Sequence, residues 1–317
     1  GGAIAAAVGT HALLPEAERR RIVGVIVNKF HGDPSYFAGG VQAIEQHTGW
    51  SVLGVMPWCE AAQRLPDEDA VVATAAQLNT QSADARVRVA VPKLSRIANF
   101  DDLDPLRREP RVALDLIEPG HPLPVCDLVL IPGTKSTLAE AAFIRAQGWD
   151  IDLLAHVRRG GHVVGICGGY QLLGRQLDDP LGVDGPPGTE RGLGLLDVST
   201  VLTADKTVRP VAGVCCDPAS PIRGYEIHSG QTSGADTAQP WMMLDGRPDG
   251  ARAGRVLGTY VHGLFAEDTF RRAFLDRIAP GAGSDLNFER DVDAAIDAVA
   301  DHLHRYLNVD ALRTLAR

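Results

Sequence analysis

The stretch VVGICGGYQLLG at residues 163–174 strongly limits how this chain can fold. Val163, Val164 and Ile166 form the unbroken apolar run of a buried parallel strand, and Gln171, Leu172 and Leu173 open a helical pattern. Cys167 falls on the turn between them. Gly165, Gly168 and Gly169 remove the Cβ atoms that would obstruct a sharp bend, so the thiol projects from the carboxyl end of the strand. This is nucleophile-elbow geometry with sulfur in place of oxygen.

The rest of the sequence repeats the strand-then-helix alternation of an α/β fold with a parallel sheet. The patterns predict a helix over 3–14, a strand over 22–28, a helix over 35–48 and a strand over 52–56. After LPDED at 65–69 a polar segment runs to about residue 85, and a domain boundary is expected there. A second series follows, with strands at 87–91, 112–117 and 127–133 and helices at about 138–147 and 151–159. The Gly-, Pro- and Asp-rich span 183–235, with its short apolar runs, suggests β-rich structure and loops, and RVLGTYVHG returns to a strand. Helices at 268–278 and 290–315 close the chain, so the expected domains are 1–85 and 86–317, the second with a helical tail.

With 317 residues there is room for two cores of ordinary size. A formal charge of −9 argues against a general nucleic-acid binder, whose phosphate contacts need a basic face. No apolar run approaches the ~20 residues of a membrane span and the first residues lack a signal peptide's charged region, so a cytoplasmic location is expected. The Ala-rich start without methionine reads as a fragment. Five cysteines with no CxxC pair suggest neither a disulfide framework nor a structural zinc site, and no metal site is expected; Cys215 and Cys216 read as packing residues.

A catalytic thiol needs a base within hydrogen-bond reach. Of ten histidines, His262 in GTYVHGLF ends an apolar strand before a glycine, and His228 in GYEIHSG competes with it. Acyl transfer also needs backbone donors aimed at the developing oxyanion, for which Gly168 and Gly133 are the candidates. The loop IPGTKST around Gly133 lacks the GxxxxGK[ST] spacing of a phosphate-binding loop.

Taken together, GICGGYQLLG, IPGTKST, GYEIHSG and GTYVHGLF resemble the glutamine amidotransferase domain of the cobyric acid synthase family. KLSRIANFDDLDPLRREP at 93–110, VNKFHGDPS at 27–35 and LPDED extend the resemblance over nearly the whole chain, in the family's order. It implies a flavodoxin-like, class I amidotransferase domain preceded by part of a P-loop-type, dethiobiotin synthetase-like ATP-dependent domain. It further implies that Cys167 is the nucleophile of a γ-glutamyl thioester and His262 its base. The ammonia released would amidate peripheral carboxylates of adenosylcobyrinic acid a,c-diamide, giving cobyric acid on the way to cobalamin, with ATP and magnesium used by the complete enzyme. Asn28 is similar to the family's adenine-recognising asparagine. Neighbouring readings are an amidotransferase acting earlier on cobyrinic acid or on a cell-wall precursor, and a non-catalytic assembly module, against which the intact Cys167, Gly168 and His262 speak.

Two departures shape the expectations. Many amidotransferases of this class carry a glutamate two residues after the histidine, where this chain has Leu264. A Cys–His dyad is therefore expected, with the imidazole oriented by another group. Glu226 is the candidate, a hairpin surface charge being the other reading of it, and Glu267 and Asp268 stand behind. The family's glycine-rich phosphate loop has no counterpart, so about half of the ATP-dependent domain is expected to be missing and no cofactor is expected for this chain alone.

Overall fold

Strands and helices alternate as the apolar patterns require in a computed structural model whose described residues are 2–66, 82 and 84–316. They form two units, one of residues 2–66 and 289–316 and the other running from 82 to 288. In the first unit the strands Gly24–Phe30 and Ser51–Pro57 pair in parallel through the helix Ala38–Thr48, whose Ile44 is fully buried. The helix Ala3–Leu13 precedes them.

The sequence assigns 290–315 to the second domain as a tail, and the structure corrects this. The helices Phe288–Tyr306 and Val309–Leu315 return to the first unit. Asn308 N donates to Leu53 O at 2.8 Å, Leu307 bridges Gly54, and His302 Nε2 donates to Pro57 O at 3.1 Å. A Cβ at residue 54 would lie 2.3 Å from Tyr306 O, so glycine is what lets the returning chain reach the strand. Most of the stretch expected to carry the first boundary, including the end of LPDED, lies outside the described residues.

The second unit is built on a six-stranded sheet ordered Ala251–Ala253, Val256–Thr259, His162–Ile166, Leu128–Ile131, Val87–Pro92 and Val112–Ile117. All pairs are parallel except the Ala251–Ala253 edge. Its strands are apolar on both faces because helices such as Thr137–Ala146, Trp149–Arg158 and Asp268–Ile278 cover them. A second sheet centres on a long antiparallel hairpin, Val198–Cys216 with Ala219–Gly234. The β-rich expectation for this span holds, and burial alternates along much of both strands. RVLGTYVHG, expected as one strand, serves both sheets: Val256–Thr259 ends the first, and Val261–His262 pairs with Tyr225 and Glu226 of the hairpin. Among the described residues no helix is long and apolar enough to cross a membrane.

At the elbow, the helix Gly168–Leu173 crosses directly over the strands. A Cβ at residue 169 would lie 2.1 Å from Ile131 O, a backbone atom that cannot move without tearing the sheet. Gly169→Ala is therefore expected to destabilise the second unit by about 1–3 kcal/mol, the usual cost of overpacking, in urea unfolding followed by the fluorescence of buried Trp149 and Trp241. An unchanged midpoint would contradict the close crossing.

Candidate active site

Cys167 carries the strain of the turn itself, at φ 52° and ψ −110°, a conformation that costs a residue with a side chain on the order of 1–3 kcal/mol. The flanking Gly165, Gly168 and Gly169 have no positive φ; they are small because neighbours approach closely. Cys167 N donates to Thr259 O at 2.8 Å, which ties the elbow to the adjacent strand, and the thiol donates to Ile227 O at 3.5 Å.

Three residues beyond Thr259, His262 is fully buried. Its Nδ1 donates to Asp102 Oδ2 at 2.7 Å, and the other carboxylate oxygen accepts from Gly263 N at 2.6 Å. Holding Nδ1 in this way turns Nε2 toward the thiol, and Nε2 has no hydrogen-bond partner among the described residues. One point, where a Cβ on residue 133 would sit, is 3.1 Å from His262 Cε1 and 3.7 Å from Cys167 Cβ. Burial alone would push the imidazole pKa down, but Asp102 and the facing thiol reverse this and raise it to about 10. Tyr225 stacks on the imidazole at 5.3 Å between ring centroids, and Asn99 Nδ2 donates to its hydroxyl at 2.7 Å.

The group that orients His262 is thus Asp102, which the sequence reading did not single out. It comes from the segment NFDDLDPLR. Asn99, in the left-handed region at φ 54°, starts a 3-10 turn over Phe100–Leu103, and buried Phe100, Leu103 and Leu106 hold that turn against the core. The readable signal was an acidic run interleaved with large apolar residues, which forces some carboxylates inward, where they need partners.

The expected orienters lie elsewhere. Glu226 is buried but accepts from Arg209 Nε at 2.6 Å across the hairpin, so it is an internal ion pair and not a partner of His262. Asp268 pairs with Arg271, and Glu267 stands at the N-cap position of the helix Asp268–Ile278 without a side-chain capping bond. His228 faces the same cavity as Cys167, but its ring stacks on Tyr260 at 3.8 Å and its Nδ1 donates to Gly230 O at 3.0 Å. Gly133 and Gly168 both lie beside the thiol, where a Cβ at 168 would be 2.9 Å from Thr134 N. Asn28 is exposed on its strand in the first unit, with Oδ1 accepting from Lys29 N. Among the described residues no three His, Cys, Asp or Glu side chains converge as for a metal ion.

Residues 88–270 match the family described as CobB/CobQ-like glutamine amidotransferase domain. Cobyric acid synthase of Hyphomonas neptunium is 51% identical over 100% of this chain and 64% of its own length, and that of a Ruegeria species is 50% identical over the same shares. The chain thus spans 64% of the length of these curated relatives. A crystal structure of a glutamine amidotransferase aligns at TM-score 0.46 and 18% identity, covering 62% of this chain and 99% of its own.

Burial pushes the thiols of Cys126 and Cys215 up to about 11 and about 12, whereas Cys167 faces an imidazolium. Iodoacetamide near neutral pH is expected to alkylate Cys167 ahead of both, and His262→Ala is expected to slow that reaction at least ~10-fold, as loss of a cationic neighbour removes thiolate. Peptide mass mapping reads both, and equal rates at Cys167 and Cys126 would refute the pairing. A second outcome concerns pH. The folded pKa of His262, about 10, exceeds the ordinary 6.5, so its stabilising contribution is complete below pH 6.5 and is lost as pH rises through 10. Unfolding free energy should fall over that window in the parent and fall less in His262→Gln; parallel slopes would count against the raised pKa.

Proposed function

The chain belongs to the CobB/CobQ-like glutamine amidotransferase family, and on that premise we propose that its second unit hydrolyses glutamine through a Cys167–His262–Asp102 triad. The observation that carries this reading is the buried Asp102–His262 bond, which presents Nε2 to a thiol on a strained elbow. Asp102 fixes the imidazole's tautomer and stabilises its cation. The Cys167 thiolate attacks the γ-carbonyl carbon of glutamine, and the carbonyl oxygen takes the negative charge. N–H groups of Gly168 and of the Gly133 loop are the donors we assign to that oxyanion. Protonated His262 gives its proton to the departing nitrogen, ammonia leaves and a γ-glutamyl thioester remains. Neutral His262 then takes a proton from water as the water attacks the thioester, and glutamate and the thiol are released.

In the longer proteins that this chain resembles, the ammonia would be used for ATP-dependent amidation of peripheral carboxylates of adenosylcobyrinic acid a,c-diamide, the final product being cobyric acid. Identity near 50% along the whole chain to proteins named cobyric acid synthase supports this assignment over the related amidotransferases.

The test is glutamate release from glutamine by the chain alone. Cys167→Ala is expected to abolish it, since no other group can form the thioester, and His262→Ala to lower kcat by at least ~100-fold, the low end for a lost general base. Activity retained in Cys167→Ala, or a larger effect from His228→Ala than from His262→Ala, would overturn the assignment.

A further inference from the structure

The cavity in front of Cys167 has a volume of about 260 Å³, below the range of drug-sized pockets and suited to a small polar metabolite. Its floor is made by Cys167, Gly168 and Gln171. Its wall includes one carboxylate, Asp184, and two ammonium groups, Lys135 and Lys206. None of these three charges takes part in the chemistry described above.

Asp184 is held rigidly. Fully buried Asp179 accepts from Val183 N and Asp184 N, both at 2.8 Å, which fixes the turn that carries it. Asp184 Oδ2 accepts from Leu138 N at 3.4 Å. Burial pushes its pKa up, while the backbone donors of Leu138 and Thr137 and the charge of Arg96 act to keep it ionised. Desolvating a half-buried carboxylate is costly, and a cation bound against it from the cavity offsets that cost. Lys206 projects from an irregular stretch of the hairpin where pairing slips between Leu202 and Thr207 and Thr203 Oγ1 donates to Ser229 O. Lys135 follows the Gly133 turn. No carboxylate pairs with either lysine among the described residues.

We propose that Asp184 binds the α-ammonium group of the amino-acid substrate and that Lys135 and Lys206 bind its α-carboxylate, so that this wall selects a zwitterion whose side-chain amide then reaches Cys167. The inference rests on the glutaminase reading and adds the residues that choose the substrate. Opposite charges on one small cavity match the two ends of a free α-amino acid. A peptide-bound glutamine presents neither charge, and a bare carboxamide fits only the floor.

Substrates lacking one charge separate the contributions. Glutaramate keeps the carboxylate and lacks the ammonium, and 4-aminobutanamide keeps the ammonium and lacks the carboxylate. Asp184→Asn is expected to lower the ratio of kcat/KM for glutamine to that for glutaramate by about 10- to 100-fold, the effect of one hydrogen bond to a charged group, mainly through KM. The double variant Lys135→Met, Lys206→Met is expected to lower the ratio of glutamine to 4-aminobutanamide by a similar factor. Alkylation of Cys167 by 6-diazo-5-oxo-L-norleucine relative to iodoacetamide gives a second reading that does not need turnover, and this ratio should fall in both variants. If the parent hydrolyses glutamine or takes the diazo label while the variants keep its ratios, the wall has no such role and the glutaminase reading stands. If the parent does neither, the glutaminase reading fails and the inference falls with it.

Discussion

The bond between Asp102 and His262 joins two side chains that are each 1% exposed and lie 160 residues apart in sequence. Placing a carboxylate where water cannot reach it is costly unless its lone pairs are filled, and here both oxygens are used, one by the imidazole and one by Gly263 N. A second buried pair runs alongside. Arg271 Nε donates to Glu109 Oε1 at 2.6 Å, and the same guanidinium donates to Phe265 O and Leu286 O at 2.8 and 2.9 Å. These two pairs pin residues 102–109 to residues 262–271 at two points. An apolar contact could have joined the segments, but it would not have fixed which nitrogen of His262 points at the thiol.

The reactive groups reach that geometry through strand pairing. Ile166 pairs with Thr259, so Cys167 leaves the end of one strand just where its neighbour ends. From there the paths diverge. Cys167 turns through a strained conformation into its helix, while the neighbouring chain passes through Tyr260 into the second sheet, where His262 pairs with Tyr225. Thr259 helps make this corner, since its hydroxyl accepts from Val261 N at 3.1 Å and donates to Asp249 Oδ2 at 3.0 Å. The strain at Cys167 is sustained because its N–H bonds Thr259 O of the neighbouring strand, its carbonyl accepts from Gln171 N in the helix that follows, and its flanking glycines are closely approached by their neighbours.

What the sequence revealed about this site follows the range of each interaction. The elbow was legible because its determinants are local: an apolar run, small residues and a helical pattern within twelve positions. His262 was legible as the end of an apolar run just before a glycine. Asp102 was not, because Glu226 in GYEIHSG and the chain neighbours Glu267 and Asp268 offer carboxylates just as readily, and neither motif nor chain proximity carries information about a contact closed by the tertiary fold. The closing helices show the same limit. Their apolar periodicity requires something to cover, but not which unit they cover, and the pairing of Leu307 with Gly54 decides it.

Buried polar groups set the precision of the pocket floor. Thr137 Oγ1 donates to Gln171 Oε1 at 3.0 Å, Gln171 Nε2 donates to the Tyr260 hydroxyl at 3.3 Å, and that hydroxyl bonds Thr232 Oγ1 at 2.6 Å. Tyr260 in turn supports the ring of His228 on the cavity wall. Because each member is held by the next, a substrate amide meets groups already oriented, and little entropy is lost in aligning them. The lysines at the wall differ: their long, exposed side chains can draw in a carboxylate but cannot fix it to a fraction of an ångström. The cavity therefore divides its work by rigidity, with the networked floor and the fixed turn of Asp184 placing the substrate and the adaptable lysines capturing its carboxylate.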